Sequence, residues 1–374
     1  MLRSNSVPKK KRSLLQIPQG TESFYLEDAY RHRKLVERVT ERFYRWGYLP
    51  VQTPIVDYYD SYRSLLTENA DRGIYRLIDR DGELLMLRSD VTLFLAKQMG
   101  MILKSEELPV RVYYADTILR HEAADDISQN EFFQAGIELI GREELEGELE
   151  VLCLLQETLA TLGATNTVTH VGTRKLTAGI RAKLGESAER QLVHAVIMRR
   201  EEELAEILTD YSAKQREAYL SLFRYIGNAS GLRTLRETVA QELGEEVTSA
   251  LMEIEHVFAV LEELNLVDHF RVDLSEVGNQ PYHSGMVFQS YMHNVAQPVA
   301  SGGRYDGLLA RFGLDAPSVG FACMLRRVEE QLDARTQPSR ISGLEPFARA
   351  EGESFAARFR SARQAREQGE SIVL

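Results

Sequence analysis

The chain has 374 residues and a formal net charge of −11, and 44% of its residues are hydrophobic while 27% are charged. These values are typical of a soluble globular protein with one large domain or two ordinary ones. They disfavour a protein that holds nucleic acid through a basic surface, and the lack of a long apolar run in the sequence argues against a membrane span.

Cysteine usage and the N-terminal sequence indicate the compartment. The two cysteines, Cys153 and Cys323, lie far apart and show no metal-ligand spacing. This pattern fits a reducing compartment and argues against a structural zinc site. The N-terminus is basic, but no apolar stretch of the signal-peptide type follows it. We therefore expect a cytoplasmic protein with no resident metal and no cofactor.

Helical and strand-type patterns alternate along the chain. Residues 1–13 are basic and predict a disordered tail. Apolar residues recur at helical spacing, followed by a glycine stop, in residues 26–46, 90–99 and 145–162. Strand-type patterns occur at residues 51–56, 74–78, 84–87, 110–114, 132–140, 167–171, 270–274, 286–291 and 297–300. Pro54 cannot donate a ladder hydrogen bond, so the first of these segments predicts an edge strand.

The order of these elements predicts an α+β fold. Hairpin signals such as Asp81-Gly82 are more frequent than regular crossover helices, which favours a largely antiparallel sheet flanked by helices. Residues 174–266 are helical and highly charged, and strand-rich segments lie on both sides of them. We therefore expect a helical subdomain inserted into a main domain of residues 14–332, followed by a short C-terminal tail at residues 333–374.

Two glycine-containing segments indicate a site for a small ligand. Residues 302–307 read Gly-Gly-Arg-Tyr-Asp-Gly, and residues 282–288 read Tyr-His-Ser-Gly-Met-Val-Phe. Glycine is tolerated within a strand mainly where a bulge, a bend or a ligand needs the space of a side chain. We expect a hairpin whose backbone approaches a small ligand closely. Neither segment matches a Rossmann fingerprint or a P-loop.

A third segment, residues 111–141, carries polar side chains that suit a ligand. A strand, a polar loop and a returning strand would place Arg120, Gln134 and Glu138 on one sheet surface, since residues two apart in a strand share a face. The planar fork of an arginine suits a carboxylate or phosphate, and a glutamate suits an ammonium or imidazole group. For any one of these residues taken alone, a structural ion pair or hydrogen bond is the favoured interpretation.

Together these segments resemble the class II histidyl-tRNA synthetase family over about residues 17–330. The resemblance rests on short motifs that occur in the order and spacing of that family. They are residues 18–21 (Pro-Gln-Gly-Thr), 46–54 as motif 1, 87–92 (Leu-Arg-Ser-Asp-Val-Thr), 120–141 as motif 2, 282–288 and 302–307 as the two histidine-pocket motifs, and 320–327 as motif 3.

The resemblance implies an antiparallel sheet of about six or seven strands, a homodimer formed around motif 1, and a pocket for histidine and ATP. His283 stands where the family has a second tyrosine, so it would change the recognition of the imidazole. Arg120 and Arg327 would take the positions that hold the ATP phosphates. The side chains that the resemblance places near the amino acid are Asp90, Thr92, Gln134, Glu138 and Tyr282.

The loop of motif 2 departs from the family pattern. Three positions at which the family carries arginine hold Ala123, Ser128 and Asn130, and the acids Asp125 and Asp126 lie between them. Adenylation builds negative charge on the α-phosphate, and electrostatic stabilisation is usually the largest catalytic effect. An acidic loop at this place is therefore expected to repel ATP.

Three further departures concern the rest of the nucleotide site and the tRNA-binding part. Gly278 stands at the position of an arginine that assists adenylation in the family, and Met324 stands at a glycine that leaves room near adenine. Residues 333–374 are too few for the anticodon-binding domain of the synthetases. The chain therefore lacks several parts that an active synthetase uses.

These departures resemble a paralogous family, the regulatory subunits of ATP phosphoribosyltransferase, which lack aminoacylation activity. That resemblance implies a protein that is not itself an enzyme and that pairs with a short-form catalytic subunit at the first step of histidine biosynthesis. It implies histidine as the feedback effector, and no tRNA or membrane as a partner. Two alternatives stay open: an aminoacyl-adenylate-forming enzyme, and a synthetase-like module that binds nucleic acid.

Overall fold

One long β-sheet organises the chain in the computed structural model, which describes residues 17–18, 20–21, 23–121, 130–332, 345–346, 354–369 and 372–373. The predicted disordered tail, residues 1–13, lies outside these ranges. The strands found within them are β1 (Leu49–Pro50), β2 (Val56–Tyr58), β3 (Arg76–Ile78), β4 (Leu84–Leu87), β5 (Val110–Leu119), β6 (Glu131–Ile140), β7 (Thr167–Thr173), β8 (Ile226–Gly227), β9 (Phe270–Asp273), β10 (Met286–Met292), β11 (Ala300–Arg304), β12 (Ser318–Met324), β13 (Glu345–Pro346) and β14 (Ile372–Val373).

The main sheet confirms the predicted α+β class. In the described part of the chain its strand order is β1-β5-β6-β12-β11-β10-β7-β9-β8. Every pair between β5 and β7 in this order is antiparallel, whereas β1–β5 and β7–β9 are parallel. The expected count of about six or seven strands is wrong, since these residues form nine. The two-residue strands β1 and β8 are too short to show the alternation by which a strand is recognised in a sequence.

Helices cover the sheet and fill the segment between β7 and β9. The helices of the described residues are α1 (Leu26–Arg45), α2 (Glu68–Gly73), α3 (Val91–Ile102), α4 (Glu146–Leu162), α5 (Ala178–Leu184), α6 (Glu186–Ile197), α7 (Glu201–Ile207), α8 (Ala213–Phe223), α9 (Ala229–Glu263), α10 (Leu325–Glu329) and α11 (Phe355–Glu367). In α9 the helical geometry is interrupted at Gly244, whose φ is +83°. Within the described ranges no helix combines the length and the apolar character needed to cross a bilayer.

The alternation of side chains along β6 separates two apolar cores. Ala135, Ile137 and Leu139 belong to a buried cluster that also contains the apolar faces of α1 and α4. Phe132 and Ile140 belong to a second cluster, which contains the buried face of α3. Because the side-chain period of a strand is two, the polar residues between these positions emerge on the α3 side of the sheet. The polar face of β6 therefore lies beneath α3.

Two local predictions are wrong for physical reasons. Residues 51–56 do not form one strand, because only Val56 at its end enters a ladder and Pro54 has no N–H to donate. Gly100 does not end a helix but lies inside α3. A Cβ at Gly100 would lie 2.7 Å from the Cβ of Phe312, so this glycine allows close packing of α3 rather than termination.

The helical segment between β7 and β9 is joined to the sheet and to its core. The short strand β8 pairs with β9 at the edge of the main sheet. Leu251, Ile254 and Phe258 of α9 are buried in the same apolar cluster as Val171 of β7 and Val272 of β9. The helices of this segment therefore share a continuous core with the strands.

A buried ion pair fixes the end of β11 to α4. The guanidinium of Arg304 donates hydrogen bonds to both carboxylate oxygens of Glu148, and its Nη1 atom donates to the Arg142 carbonyl at 3.0 Å. The two charged side chains are only 6% and 4% exposed. Removing one partner of such a pair leaves an uncompensated buried charge.

We expect Glu148→Ala to lower the free energy of unfolding by about 3–5 kcal/mol, because the buried charge of Arg304 would keep only the more exposed carboxylate of Asp306, at 3.2 Å, as a counterion. Urea unfolding followed by circular dichroism measures this change. The matched control is Glu367→Ala, which removes an exposed partner of Arg363 and should cost about 1 kcal/mol or less. Equal effects of the two substitutions would contradict this account of the Arg304 site.

Candidate ligand cavity above the sheet

All eight side chains that the sequence predicts for the ligand site line a single cavity of about 200 Å³. They come from distant parts of the chain: the start of α3, the end of β5, β6, the segment before β10, and α10. The residues are Asp90, Thr92, Arg120, Gln134, Glu138, Tyr282, His283 and Arg327. The tertiary structure therefore brings the whole predicted set together, although it does not by itself assign a ligand.

The floor of the cavity is made of small residues that the strand register aligns. Glu138 of β6 lies opposite Gly320 of β12, which lies opposite Gly303 of β11. Ala322, two residues from Gly320 on the same face of β12, also lines the cavity. Gly320, Gly303 and Ala322 carry at most a methyl group above the sheet, so a depression forms between the polar side chains. Strand pairing therefore shapes the floor of the cavity.

Glu138 is the most enclosed polar group of the cavity. Its carboxylate accepts a hydrogen bond from the Thr92 hydroxyl at 2.6 Å and another from the Tyr305 hydroxyl. A Cβ at Gly320 would lie 1.8 Å from one of its oxygens, so the glycine makes room for the carboxylate. Burial, with a smaller contribution from the Asp90 charge, raises the pKa of Glu138 to about 8. The protonated form therefore dominates at neutral pH.

Asp90 links the cavity to the start of α3. Its side chain caps the helix by accepting a hydrogen bond from the Leu93 N–H at 3.2 Å, and it also accepts one from the Tyr282 hydroxyl at 3.2 Å. Burial raises the pKa of the Asp90 carboxyl above its usual value. Asp90 and Glu138 thus form an acidic, poorly hydrated end of the cavity, where a cationic group would be stabilised.

The two predicted arginines also line the cavity, and the charge of Arg120 acts on Asp90. The guanidinium groups of Arg120 and Arg327 lie 5.1 Å and 5.7 Å from the centre of the Phe132 ring. Arg327 also donates a hydrogen bond to the Pro298 carbonyl at 2.8 Å. Phe132 therefore positions both cations through cation–π contacts. The geometry would suit an anionic group of a ligand near this ring.

Met324 reaches into the space between these groups. It is 7% exposed and belongs to the apolar cluster beneath α3. Its sulfur lies 3.6 Å from the Gln134 amide nitrogen, which is consistent with a weak N–H···S hydrogen bond. The thioether thus occupies part of the cavity next to Gln134, on the side of the two arginines.

His283 and Gly278 fit together as a pair. Gly278 has a φ of +77°, and a Cβ at this position would lie 2.4 Å from Nδ1 of His283. An arginine is therefore disfavoured here both by the backbone conformation and by the imidazole. Burial, and to a lesser degree the charge of Arg174, lowers the pKa of His283 to about 3. Nδ1 of His283 is buried and has no hydrogen-bond partner among the described residues.

Some expectations about this region need correction or stay open. A Cβ at Gly302 would lie 2.6 Å from the ring of Phe288, so this glycine makes room for core packing as well as lining the cavity. The loop positions Ala123, Asp125, Asp126 and Ser128 lie outside the described residues. Asn130 is 7% exposed, and its side-chain oxygen lies 2.9 Å from Nδ1 of His121.

The cavity is also lined by side chains that were not predicted as site residues, among them Tyr305, Glu276 and Gln289. Tyr305 lies within the Gly-Gly-Arg-Tyr-Asp-Gly segment, so the motif contained a signal for it. Glu276 and Gln289 carry no such signal, because Gln289 reaches the cavity through the pairing of β10 with β11 and β7, and Glu276 lies in the segment between β9 and β10. Within the described ranges no group of three or more His, Cys, Asp or Glu side chains has a geometry that could hold a metal ion.

The sequence of the chain is similar to those of known proteins. Residues 20–328 match the sequence model of the family described as histidyl-tRNA synthetase. An ATP phosphoribosyltransferase regulatory subunit from Moorella thermoacetica is 31% identical, with 96% of this chain and 92% of that protein covered. One from Syntrophotalea carbinolica is 29% identical, with 94% and 83% covered.

Solved structures show the same fold. A crystal structure of an ATP phosphoribosyltransferase regulatory subunit/histidyl-tRNA synthetase from Bacillus halodurans superposes with a TM-score of 0.81 at 24% identity, covering 97% of this chain and 93% of that one. A histidyl-tRNA synthetase from Nostoc superposes with a TM-score of 0.76 at 20% identity, covering 97% and 86%. These two likenesses concern the fold alone.

The raised pKa of Glu138 makes a prediction about stability. Its ordinary value is 4.5 and its folded value is about 8, so between these pH values the folded state binds more protons than the unfolded state. The contribution of Glu138 to the free energy of unfolding therefore falls as the pH rises through this window. Glu138→Gln removes the titration, and its stability relative to the wild type should rise by about 2–4 kcal/mol between pH 5 and pH 8.5. Urea unfolding across this range measures the change, and Glu143→Gln on the surface is the control. A difference that is independent of pH would contradict the proposed burial effect.

Proposed function

The chain belongs to the histidyl-tRNA synthetase family and, within it, to the ATP phosphoribosyltransferase regulatory subunits, and we propose that it activates a short-form catalytic subunit and makes that subunit sensitive to histidine. The observation that carries this proposal is the composition of the cavity. Polar groups suited to an amino acid line it, whereas two positions that adenylation would use hold Gly278 and Met324. The protein would then be a non-catalytic member of the cytoplasmic histidine-synthesis machinery.

The acidic end of the cavity supports histidine as the ligand. An ammonium group would be stabilised by Asp90 and the Gln134 side-chain oxygen, and an imidazole N–H can donate to Glu138. A bound cation favours the ionised form of each carboxyl, so it would lower the raised pKa values of Asp90 and Glu138. Binding of a cationic ligand at pH 7 is therefore expected to release protons. The Thr92 and Tyr282 hydroxyls would hold the carboxylates in place.

The same geometry disfavours the alternative of an adenylate-forming enzyme. The Met324 side chain fills space next to Gln134, and His283 occupies the place of an arginine side chain at position 278. His283 stays neutral because burial lowers its pKa to about 3, so it supplies no replacement charge for the α-phosphate. Charge stabilisation at the reacting phosphate is the term that catalysis of this kind needs most.

The regulatory mechanism that we propose couples two states of a complex. The partner joins ATP to phosphoribosyl pyrophosphate, and the present chain would hold it in an active arrangement. Histidine in the cavity would shift the population towards an inhibited arrangement, because it would bind the two states with different affinity. An end product that inhibits the first step of its own synthesis limits its own accumulation.

An exposed apolar face supports a homodimer as the unit of that complex. The side chains of Leu49, Ile55, Tyr58 and Ile78, all near motif 1 or in the small sheet β2-β4-β3, are 60%, 60%, 52% and 70% exposed. Exposed apolar groups gathered in one region of a surface are typical of protein interfaces. We propose that two copies of the chain bury this face against each other.

The functional test is an assay of a short-form catalytic subunit with ATP and phosphoribosyl pyrophosphate, with and without this chain. We expect activity that requires both proteins and that falls when histidine is added. Glu138→Gln should raise the histidine concentration needed for half-inhibition by about 10-fold or more, because a charged hydrogen bond is lost. The surface variant Glu143→Gln should leave activation and inhibition unchanged.

The opposite results have a clear meaning. No complex and no effect on the catalytic subunit would overturn the regulatory proposal. ATP–pyrophosphate exchange by the chain alone, dependent on histidine, would support the adenylate-forming alternative. Activation without inhibition by histidine would leave the activating role in place and remove histidine as the effector.

The homodimer is tested by light scattering on a size-exclusion column. Ile78→Asp places a charge on the exposed face and should convert a dimer into a monomer, since an unpaired charge is costly in an interface. Met252→Asp changes an apolar side chain of α9 that is 53% exposed, away from this face, and should leave the dimer intact. A wild-type monomer at micromolar concentration, or a dimer that tolerates Ile78→Asp, would contradict the proposed interface.

A further inference from the structure

The imidazole of His283 has its two ring nitrogens in different surroundings. Nδ1 is buried and has no hydrogen-bond partner among the described residues. Nε2 likewise has no partner in this part of the chain, but it is not enclosed, and the ring lines the ligand cavity. The open nitrogen of this partly buried ring therefore faces the cavity. The contacts proposed above for histidine do not use it.

The surroundings of His283 keep its ring neutral. Burial is the main cause that lowers its pKa to about 3, and the charge of Arg174 adds to the effect. The Arg174 guanidinium is fixed nearby, because its Nη1 atom donates a hydrogen bond to the Gly278 carbonyl at 3.0 Å and its Nη2 atom lies 3.2 Å from Oε1 of Glu189. A neutral imidazole carries a single N–H, so only one of its nitrogens can donate.

The contact with Gly278 selects the nitrogen that carries the hydrogen. A Cβ at Gly278 would lie 2.4 Å from Nδ1 of His283, so the glycine hydrogen in that direction points towards this nitrogen. A lone pair on Nδ1 can accept a weak C–H contact, whereas an N–H there would face another hydrogen and stay a buried donor without an acceptor. The hydrogen therefore belongs on Nε2, where it faces the cavity.

We propose that His283 is a specificity-determining residue that donates a hydrogen bond from Nε2 to an acceptor group of the ligand. Histidine offers two such acceptors once its ammonium group and its imidazole N–H lie at Asp90 and Glu138: the carboxylate and the second imidazole nitrogen. The two acids attract any cation, whereas His283 selects ligands that also carry an acceptor. This inference rests on the proposed function, because both concern the ligand of one cavity.

The position of the ring hydrogen is tested without any ligand, by NMR of the protein carrying isotope-labelled histidine. The nitrogen shifts of a neutral imidazole differ between its two tautomers, and the signals that are missing in His283→Gln assign this ring. We expect the neutral Nε2–H form from about pH 5 to about pH 8, a range in which an ordinary histidine changes its charge. An Nδ1–H form, or a ring that gains a proton in this range, would overturn the inference whether or not histidine binds.

The ligand contact is tested by isothermal titration calorimetry with histidine and with histamine, which lacks the carboxylate. His283→Leu removes the donor and should weaken histidine by about 10-fold or more, since a hydrogen bond inside the cavity is lost. His283→Gln should keep most of the affinity, because the glutamine amide can donate in place of Nε2. A loss confined to histidine assigns the acceptor to the carboxylate, and an equal loss with histamine assigns it to the imidazole nitrogen.

Two controls distinguish ligand contact from structural damage. His256→Leu changes an exposed imidazole of α9 that does not line the cavity, and it should leave both affinities unchanged. Thermal unfolding should show that His283→Leu is at least as stable as the wild type, because the substitution removes a buried nitrogen that has no partner among the described residues.

The outcomes separate this inference from the proposed function. If the wild type binds histidine and His283→Leu binds both molecules as tightly, the role of His283 is disproved while the histidine proposal stands. If the wild type binds histamine but not histidine, the histidine proposal fails, and the effect of His283→Leu on histamine decides the inference. A wild type that binds neither molecule overturns both. Equal losses in His283→Leu and in a folded His283→Gln would contradict the donor role.

Discussion

The antiparallel register that joins β6, β12, β11 and β10 is the constraint on which the rest of the structure depends. It sets Glu138 opposite Gly320 and Gly320 opposite Gly303, so a row of residues without large side chains lies between polar groups. A shift of one residue in any of these strands would turn the polar face into the apolar core, because successive side chains point to opposite faces. The helices on the other face hold this register through the cluster that contains Ile137 and Leu139. Packing on one side of the sheet therefore creates the binding surface on the other.

The burial of two acids, Asp90 and Glu138, gives the cavity its chemical character. Glu138 and Asp90 both have raised pKa values, and the causes are dominated by loss of water. Such groups are destabilising in the empty protein as the pH rises, and they become stabilising when a cation arrives. A cavity of this kind would suit the proposed ligand, an amino acid with a basic side chain. Binding of such a ligand would change the stability of the folded state, as the proposed regulation by histidine requires.

The difference between a synthetase and a regulatory subunit rests here on a few side chains over a shared fold. Gly278 and His283 fill one volume together, since the glycine supplies the space that the imidazole occupies. Met324 fills another part of the cavity beside Gln134. The strand register and the helix that starts at Asp90 are intact with Gly278, His283 and Met324 in these places. A fold can therefore keep its recognition of a small molecule while the groups for a reaction are replaced, because function depends on the site and not on the fold.

The sequence alone determined the elements whose signals are local. The apolar stripes of α1 and α4, the Gly82 hairpin, and the shared face of Gln134 and Glu138 each follow from a period of 3.6 or 2 that a short window contains. Motif order was enough to identify the family, and it pointed to eight of the residues that line the cavity. Only the tertiary structure decided that Gly100 serves packing against Phe312, that β1 and β8 extend the sheet, and that Glu276 and Gln289 meet at Tyr291. These features arise from contacts between residues far apart in the chain, and no local period records which distant segment will pair with which.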